Sequence, residues 1–229
     1  MSRMSHVHPS HAISSTCSSI IPTGSVTEIF KPLQPKELKE SRGLDELVID
    51  RYLGAYFPER RVIEIYPNAI YECAERLNVS KSTLLDIVRL HEYVHAINHV
   101  GILPSEFSEV TFDPLVKDPT YTMDSFYDER TKTFLKMSDE LLEQIAQAIT
   151  YASIQNYEPL PGLEQAVIKE NMLNAFESLE AKCSVIYQLS PETKRIAPNI
   201  EWEYVIESAI RKPNQSFAEI TYDEHLVTR

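Results

Sequence analysis

His91-Glu92-Tyr93-Val94-His95 is the stretch whose reading decides the rest of the chain. On a helix, positions i and i+4 share a face, so His91 and His95 aim two imidazoles at one point. Glu92 lies about 100° further round, within reach of a water held between the histidines. Two imidazoles, an adjacent carboxylate and room for a water describe a catalytic zinc site. The same residues could also be ordinary core and surface positions. A single buried histidine usually is one, but a pair at i and i+4 beside a glutamate is costly to bury without a shared ligand.

Working outward, Ser80-Lys81-Ser82 supplies a helix start, and no proline falls between Lys81 and Leu103. Leu84, Ile87, Val88, Val94 and Asn98 lie within about 60° of the two histidines at 3.6 residues per turn, whereas Asp86, Arg89 and Ala96 fall opposite. The histidines therefore belong to the stripe expected to face inward. A catalytic zinc takes three protein ligands. His99 is an unsuitable third, because three successive i, i+4 positions on a straight helix do not converge; it reads as a terminal residue facing the last carbonyls.

A second helix, 138–155, offers a better ligand. It opens on Ser138 with Asp139 and Glu140 in its first turn. Leu141, Ile145, Ala148, Ile149 and Ala152 form one apolar ridge. Glu143 lies on another face with Ala146, Gln147, Thr150 and Ile154. That face is small and otherwise uncharged, so Glu143 is expected to be covered and to need a partner. An ordinary solvated acid is the alternative, with Glu140 as the spare candidate one turn earlier.

Here the chain resembles the gluzincin group of zinc metallopeptidases, in which a histidine pair of this spacing is completed by a glutamate from a later helix. Ile65-Tyr66, then Ala69-Ile70-Tyr71-Glu72-Cys73-Ala74-Glu75-Arg76-Leu77, then Leu90 to Ala96, then Glu143-Gln144-Ile145-Ala146-Gln147 look like small prokaryotic proteins with this core. The likeness spans roughly residues 45 to 190. Arg89 departs from it, the corresponding residue usually being uncharged. The resemblance implies an α+β, mostly α-helical fold with a zincin-like core: an active-site helix, a second ligand-bearing helix and a small β element. It implies zinc held by His91, His95 and Glu143, with Glu92 as general base. It further implies an oxyanion donor, for which Tyr151, Tyr157 and Tyr187 are available and Tyr187 is the choice. The substrate would be a peptide or protein. Two rival readings stand beside the peptidase: a latent hydrolase serving one dedicated partner, and a non-enzymatic interaction protein that keeps the helices for packing.

Composition limits the alternatives. The chain has 229 residues and a formal net charge of −12, with a pI near 5.1. That balance argues against nucleic acid, whose phosphates are bound by clustered lysine and arginine. No apolar run approaches the roughly 20 residues of a membrane span. Cys17, Cys73 and Cys183 show no paired spacing and read as thiols kept reduced in the cytoplasm. Residues 1–43 carry His6, His8, His11, many serines and several prolines, and are expected to be a disordered tail. The folded domain is expected over 44–212, with a C-terminal tail over 213–229. Within the domain, Arg61 to Tyr66 alternates as a strand and is expected to line the cleft as its edge. Asn68 to Leu77 should be a helix stopped at Asn78. Leu163 to Tyr187 and Glu201 to Arg211 should be further helices. The proline-broken, aromatic-rich connector from Leu103 to Lys136 is expected to pack beside the metal cleft as a lid, or equally to block it as a plug.

Overall fold

A computed structural model describes residues 26–32, 53–100, 123–157 and 164–221. Most of these residues are helical, and a three-stranded sheet lies to one side. The strands are β1 (Thr27–Phe30), β2 (Gly54–Phe57) and β3 (Val62–Ile65). Their order is β1-β3-β2, with β1 parallel to β3 and β2 antiparallel to it.

The helix α1 (Pro67–Leu77) starts on a proline, whose fixed φ suits the first turn. It stops at Asn78, which adopts the left-handed conformation (φ 54°, ψ 44°) and turns its N–H back to the carbonyls of Ala74 and Glu75. The expected stop is therefore the observed one. Ser80 then caps α2 (Lys81–Val100), its hydroxyl accepting from the Thr83 N–H at 3.4 Å. From Glu92 to Val100 every residue of α2 is buried, and so is Asp86. The expected exposed side of this helix does not exist, because the sheet, α1 and the later helices surround it.

The chain re-enters the described structure at α3 (Met123–Phe134), which packs at the C-terminal end of α2. Ser138 then starts α4 (Asp139–Gln155), accepting from the Leu141 N–H at 3.1 Å. The helix α4 runs back along α2 and carries Glu143 to the histidine pair. Ala146, Gln147, Thr150 and Ile154 are all buried, as the small uncharged face of this helix required. Over these pack α5 (Glu164–Glu180), a 3-10 turn (Val185–Tyr187), α6 (Pro191–Ile196), α7 (Trp202–Arg211) and α8 (Phe217–Thr221).

Four expectations change. Residues 27–30, placed in a disordered tail, form β1: Arg89 of α2 grips Glu28 with two 2.7 Å bonds, and Lys31 pairs with the buried Glu64 at 2.7 Å. These charge-assisted pairs hold a strand too short and polar to show in an apolar pattern. The strand expected at the cleft edge, 62–66, is instead central, and the edge nearest the histidine helix is β2. The helix expected over 163–187 stops at Glu180, whose carboxylate accepts the Leu189 N–H at 2.8 Å and draws the chain into a turn. Cys183 stays buried past that break, which is why the apolar stripe seemed to continue. Finally, Phe217 and Ile220 in the expected C-terminal tail are core residues of α8. The lid expected over 103–136 lies partly outside the described residues. Its last third is α3, a helix that the prolines upstream do not reach.

Candidate metal centre

Three side chains from two helices converge. His91 Nε2 lies 3.0 Å from Glu143 Oε2, His95 Nε2 lies 3.3 Å from the same oxygen, and the two imidazole nitrogens are 3.1 Å apart. Hydrogen bonds alone account poorly for this triangle. If each nitrogen donated to Glu143, two N–H groups would confront each other at 3.1 Å. A cation shared by all three atoms satisfies every contact. Bonds of about 2.0–2.1 Å to a tetrahedral centre place its ligand atoms roughly 3.3–3.4 Å apart, close to the separations found here. Among the described residues this is the group of histidines and carboxylates suited to hold a metal ion. The donor set, two imidazole nitrogens and one carboxylate oxygen, fits zinc.

Burial pushes the Glu143 carboxyl upward, but His95 and the hydrogen bonds from both histidines outweigh it and hold the acid well below the usual carboxylate range. His91, His95 and Glu143 keep side-chain exposures of 14, 9 and 19%, so each is largely covered but not sealed among the described residues.

Glu92 is buried beside β2. A Cβ on Gly54 would stand 2.8 Å from Glu92 Cγ, 2.9 Å from Oε1 and 3.0 Å from Val88 Cγ1. Only a glycine lets the strand come this close to the carboxylate. Tyr66, at the end of β3, donates to Glu64 at 2.9 Å. Burial and the charges of Glu64 and Glu92 push its hydroxyl up to about 12. Glu64 itself is held low despite burial, by hydrogen bonds from Lys31, Tyr66 and Arg60.

The three candidate tyrosines separate clearly. Tyr187 sits in the 3-10 turn with its ring 6.2 Å from the His91 ring, at an interplanar angle of 36°. Tyr151 packs on Phe176, with centroids 5.7 Å apart, and its hydroxyl accepts from Gln155 at 2.9 Å. It belongs to the core between α4 and α5. Tyr157 is half-buried beyond the end of α4.

His99 does not face the last carbonyls of α2. Arg130 of α3 does, donating from Nε to the His99 carbonyl at 2.6 Å while its other nitrogens approach Glu207 of α7 at 3.3 and 3.4 Å. The His99 ring is fully buried between Tyr56 and Thr131. Thr131 gives its hydroxyl proton to the Tyr127 carbonyl at 2.7 Å, so it accepts from His99 Nε2 at 2.8 Å. Nδ1 then accepts from the Tyr56 hydroxyl at 2.6 Å. Burial, helped by the positive charges of Arg130 and Arg61, lowers the His99 pKa to about 4. This neutral histidine ties β2 and α3 to the helix that carries His91 and His95.

Sequence reasoning did not single out Gly54, Tyr56, Arg130 or a role for Gln147. One signal was present: Gln147 closes the Glu143-x-x-Ala146-Gln147 element. Asn98, on the histidine stripe, is buried with neither side-chain polar atom hydrogen-bonded among the described residues. No family model, curated protein or solved structure matches the chain. Among the described residues no helix is long and apolar enough to cross a membrane.

Proposed function

We propose that this chain is a zinc-dependent hydrolase, a metallopeptidase of the gluzincin type acting on a peptide or protein in the cytoplasm. One observation carries the reading: Nε2 of His91, Nε2 of His95 and one oxygen of Glu143 lie within 3.0–3.3 Å of one another. Zinc held there supplies a Lewis acid and an acidified water. The residues divide the remaining work. His91 and His95 would give nitrogen donors from a helix whose residues from Glu92 to Val100 are all buried. Glu143 contributes the negative charge. Glu92, buried against Gly54, takes a proton from the attacking water and passes it to the leaving amine. Tyr187, whose ring lies beside His91, would stabilise charge on the substrate oxygen.

The low exposure of His91, His95 and Glu143 favours a second reading, in which the same site serves one dedicated partner. In that case general substrates such as casein are cut poorly while the metal is still bound. Elemental analysis of the purified protein tests the metal centre: one zinc per chain is expected, with loss on Glu143→Ala. Glu92→Gln then tests the chemistry. The amide keeps the shape of the acid but cannot take a proton, so zinc should remain while turnover of a cleaved peptide falls with little change in KM. A zinc-free wild-type protein, or a Glu92→Gln protein with full turnover, overturns the proposal.

A further inference from the structure

We infer that Gln147 is a positioning residue, holding the Tyr187 ring against the His91, His95 and Glu143 cluster through one hydrogen bond to the Tyr187 main chain. The inference rests on the proposed function for its catalytic meaning, but its geometry stands on separate observations. Gln147 lies one turn beyond Glu143 on the same face of α4. It is buried, and its Nε2 donates to the Tyr187 carbonyl at 3.0 Å. Four residues of helix advance about 6 Å, so the separation between the ligand-bearing Glu143 and the anchor of Tyr187 is fixed by a stiff element.

Val185 is 76% exposed, and Ser184 and Gln188 are exposed as well, whereas Tyr187 is half-buried against the core and Cys183 and Leu189 are buried. Polar contacts add to that burial in shaping the segment. Gln188 Nε2 donates to the Cys183 carbonyl at 3.2 Å, and Glu180, itself paired with Lys194, accepts the Leu189 N–H. Those contacts close the loop upon itself and upon α5. Gln147 adds a directed bond from the helix carrying Glu143 to the main chain of the turn, beside the packing of the Tyr187 ring. Leucine at 147 would keep the volume and the helix but remove the donor. The Tyr187 carbonyl would then turn toward water and the ring would leave its place beside His91.

Two measurements on the full chain test this. The first needs neither metal nor activity: side-chain imidazole resonances of metal-free protein, recorded by NMR. The Tyr187 ring shifts the His91 signals, and Tyr187→Leu defines the size of that shift. Gln147→Leu should remove more than half of it while leaving the His99 signals in place. Unchanged His91 resonances in Gln147→Leu overturn the inference. If that variant does not fold, Gln147→Met replaces it and is read the same way. The second uses cobalt in place of zinc and acetohydroxamate as an anionic probe, followed by visible absorption. Gln147→Leu and Tyr187→Phe should each weaken the probe roughly tenfold, the size of one hydrogen bond. The double variant should be no weaker than either single one, because both remove the same contact. Losses that add in the double variant overturn the positioning role. Failure of the wild-type chain to bind cobalt overturns the proposed function instead, and the His91 resonances still decide on Gln147.

Discussion

Alanine at position 54 adds one methyl group where the structure has no room for it. Gly54 occupies an ordinary strand position, so the penalty is contact and not backbone torsion. The new carbon would meet Glu92 Cγ at 2.8 Å and Val88 Cγ1 at 3.0 Å, against an ordinary carbon separation of about 3.5–4.0 Å. Relief of roughly 1 Å is needed from two residues one helical turn apart. The helix α2 cannot retreat, since the residues from Glu92 onward are buried. Nor can β2 move freely, for it is paired along β3 and Tyr56 is bonded to His99. The remaining freedom is rotation of Glu92, which displaces its carboxylate from its place beside Gly54. Overpacking of this kind costs about 1–3 kcal/mol. A 1 Å displacement of a reacting group costs about a hundredfold in rate. Urea unfolding of Gly54→Ala should show the first loss, and peptide turnover at saturating zinc the second, with zinc content unchanged. A variant that unfolds within about 0.5 kcal/mol of the wild type and turns over normally would refute the steric argument.

Removal of zinc by a chelator should lower the unfolding midpoint, because a ligand present at a hundred times its Kd stabilises the folded state by about 2.7 kcal/mol. Glu143→Ala should show no such zinc-dependent shift in a thermal scan. His99 makes stability depend on pH. Its pKa is about 4 when folded against an ordinary 6.5, so the unfolded chain binds a proton in that window and the folded chain does not. Stability is therefore complete above about pH 6.5 and falls as pH drops toward 4, by up to roughly 3 kcal/mol. His99→Gln should flatten that part of the profile, and an identical slope in both proteins counts against the assignment. Arg89→Met removes a two-bond ion pair whose partners are each only 15% exposed. It should lower unfolding free energy by about 1–3 kcal/mol and speed proteolysis within residues 27–31.

The helices were legible because their signals are local. Asn78 and Ser138 act on neighbouring backbone groups, and the face shared by Glu143, Gln147 and Thr150 is plain arithmetic on a helix. So is the pairing of His91 with His95, and Glu143 could be chosen because its face of α4 carried no other charge. The sheet was less legible. The strand β1 is four residues held by Arg89 and Lys31 across 61 and 33 positions of sequence, and no local pattern encodes such pairs. The same holds for His99: its place at a helix end suggested carbonyl capping, but Arg130, 31 residues later, took that role. The ring of Tyr187 lies near His91, on a different element from the one its sequence pattern predicts. Its stripe suggested a helix, whereas Glu180 turns the chain and a 3-10 turn presents the ring.

The bonds from Arg130 and Thr131 to the end of α2 bear on how this chain can change length. The backbone leaves α2 at Val100 and returns through α3, which is fastened to the Asn98 and His99 carbonyls and the His99 ring. Departure and return are thus pinned at one place before α4 begins. Lengthening a closed loop costs only about 0.6 kcal/mol for each doubling. Residues added between 101 and 122 would be absorbed without altering the distance from His95 to Glu143. The chain can thus vary in length between those two fixed points while His91, His95 and Glu143 keep their spacing.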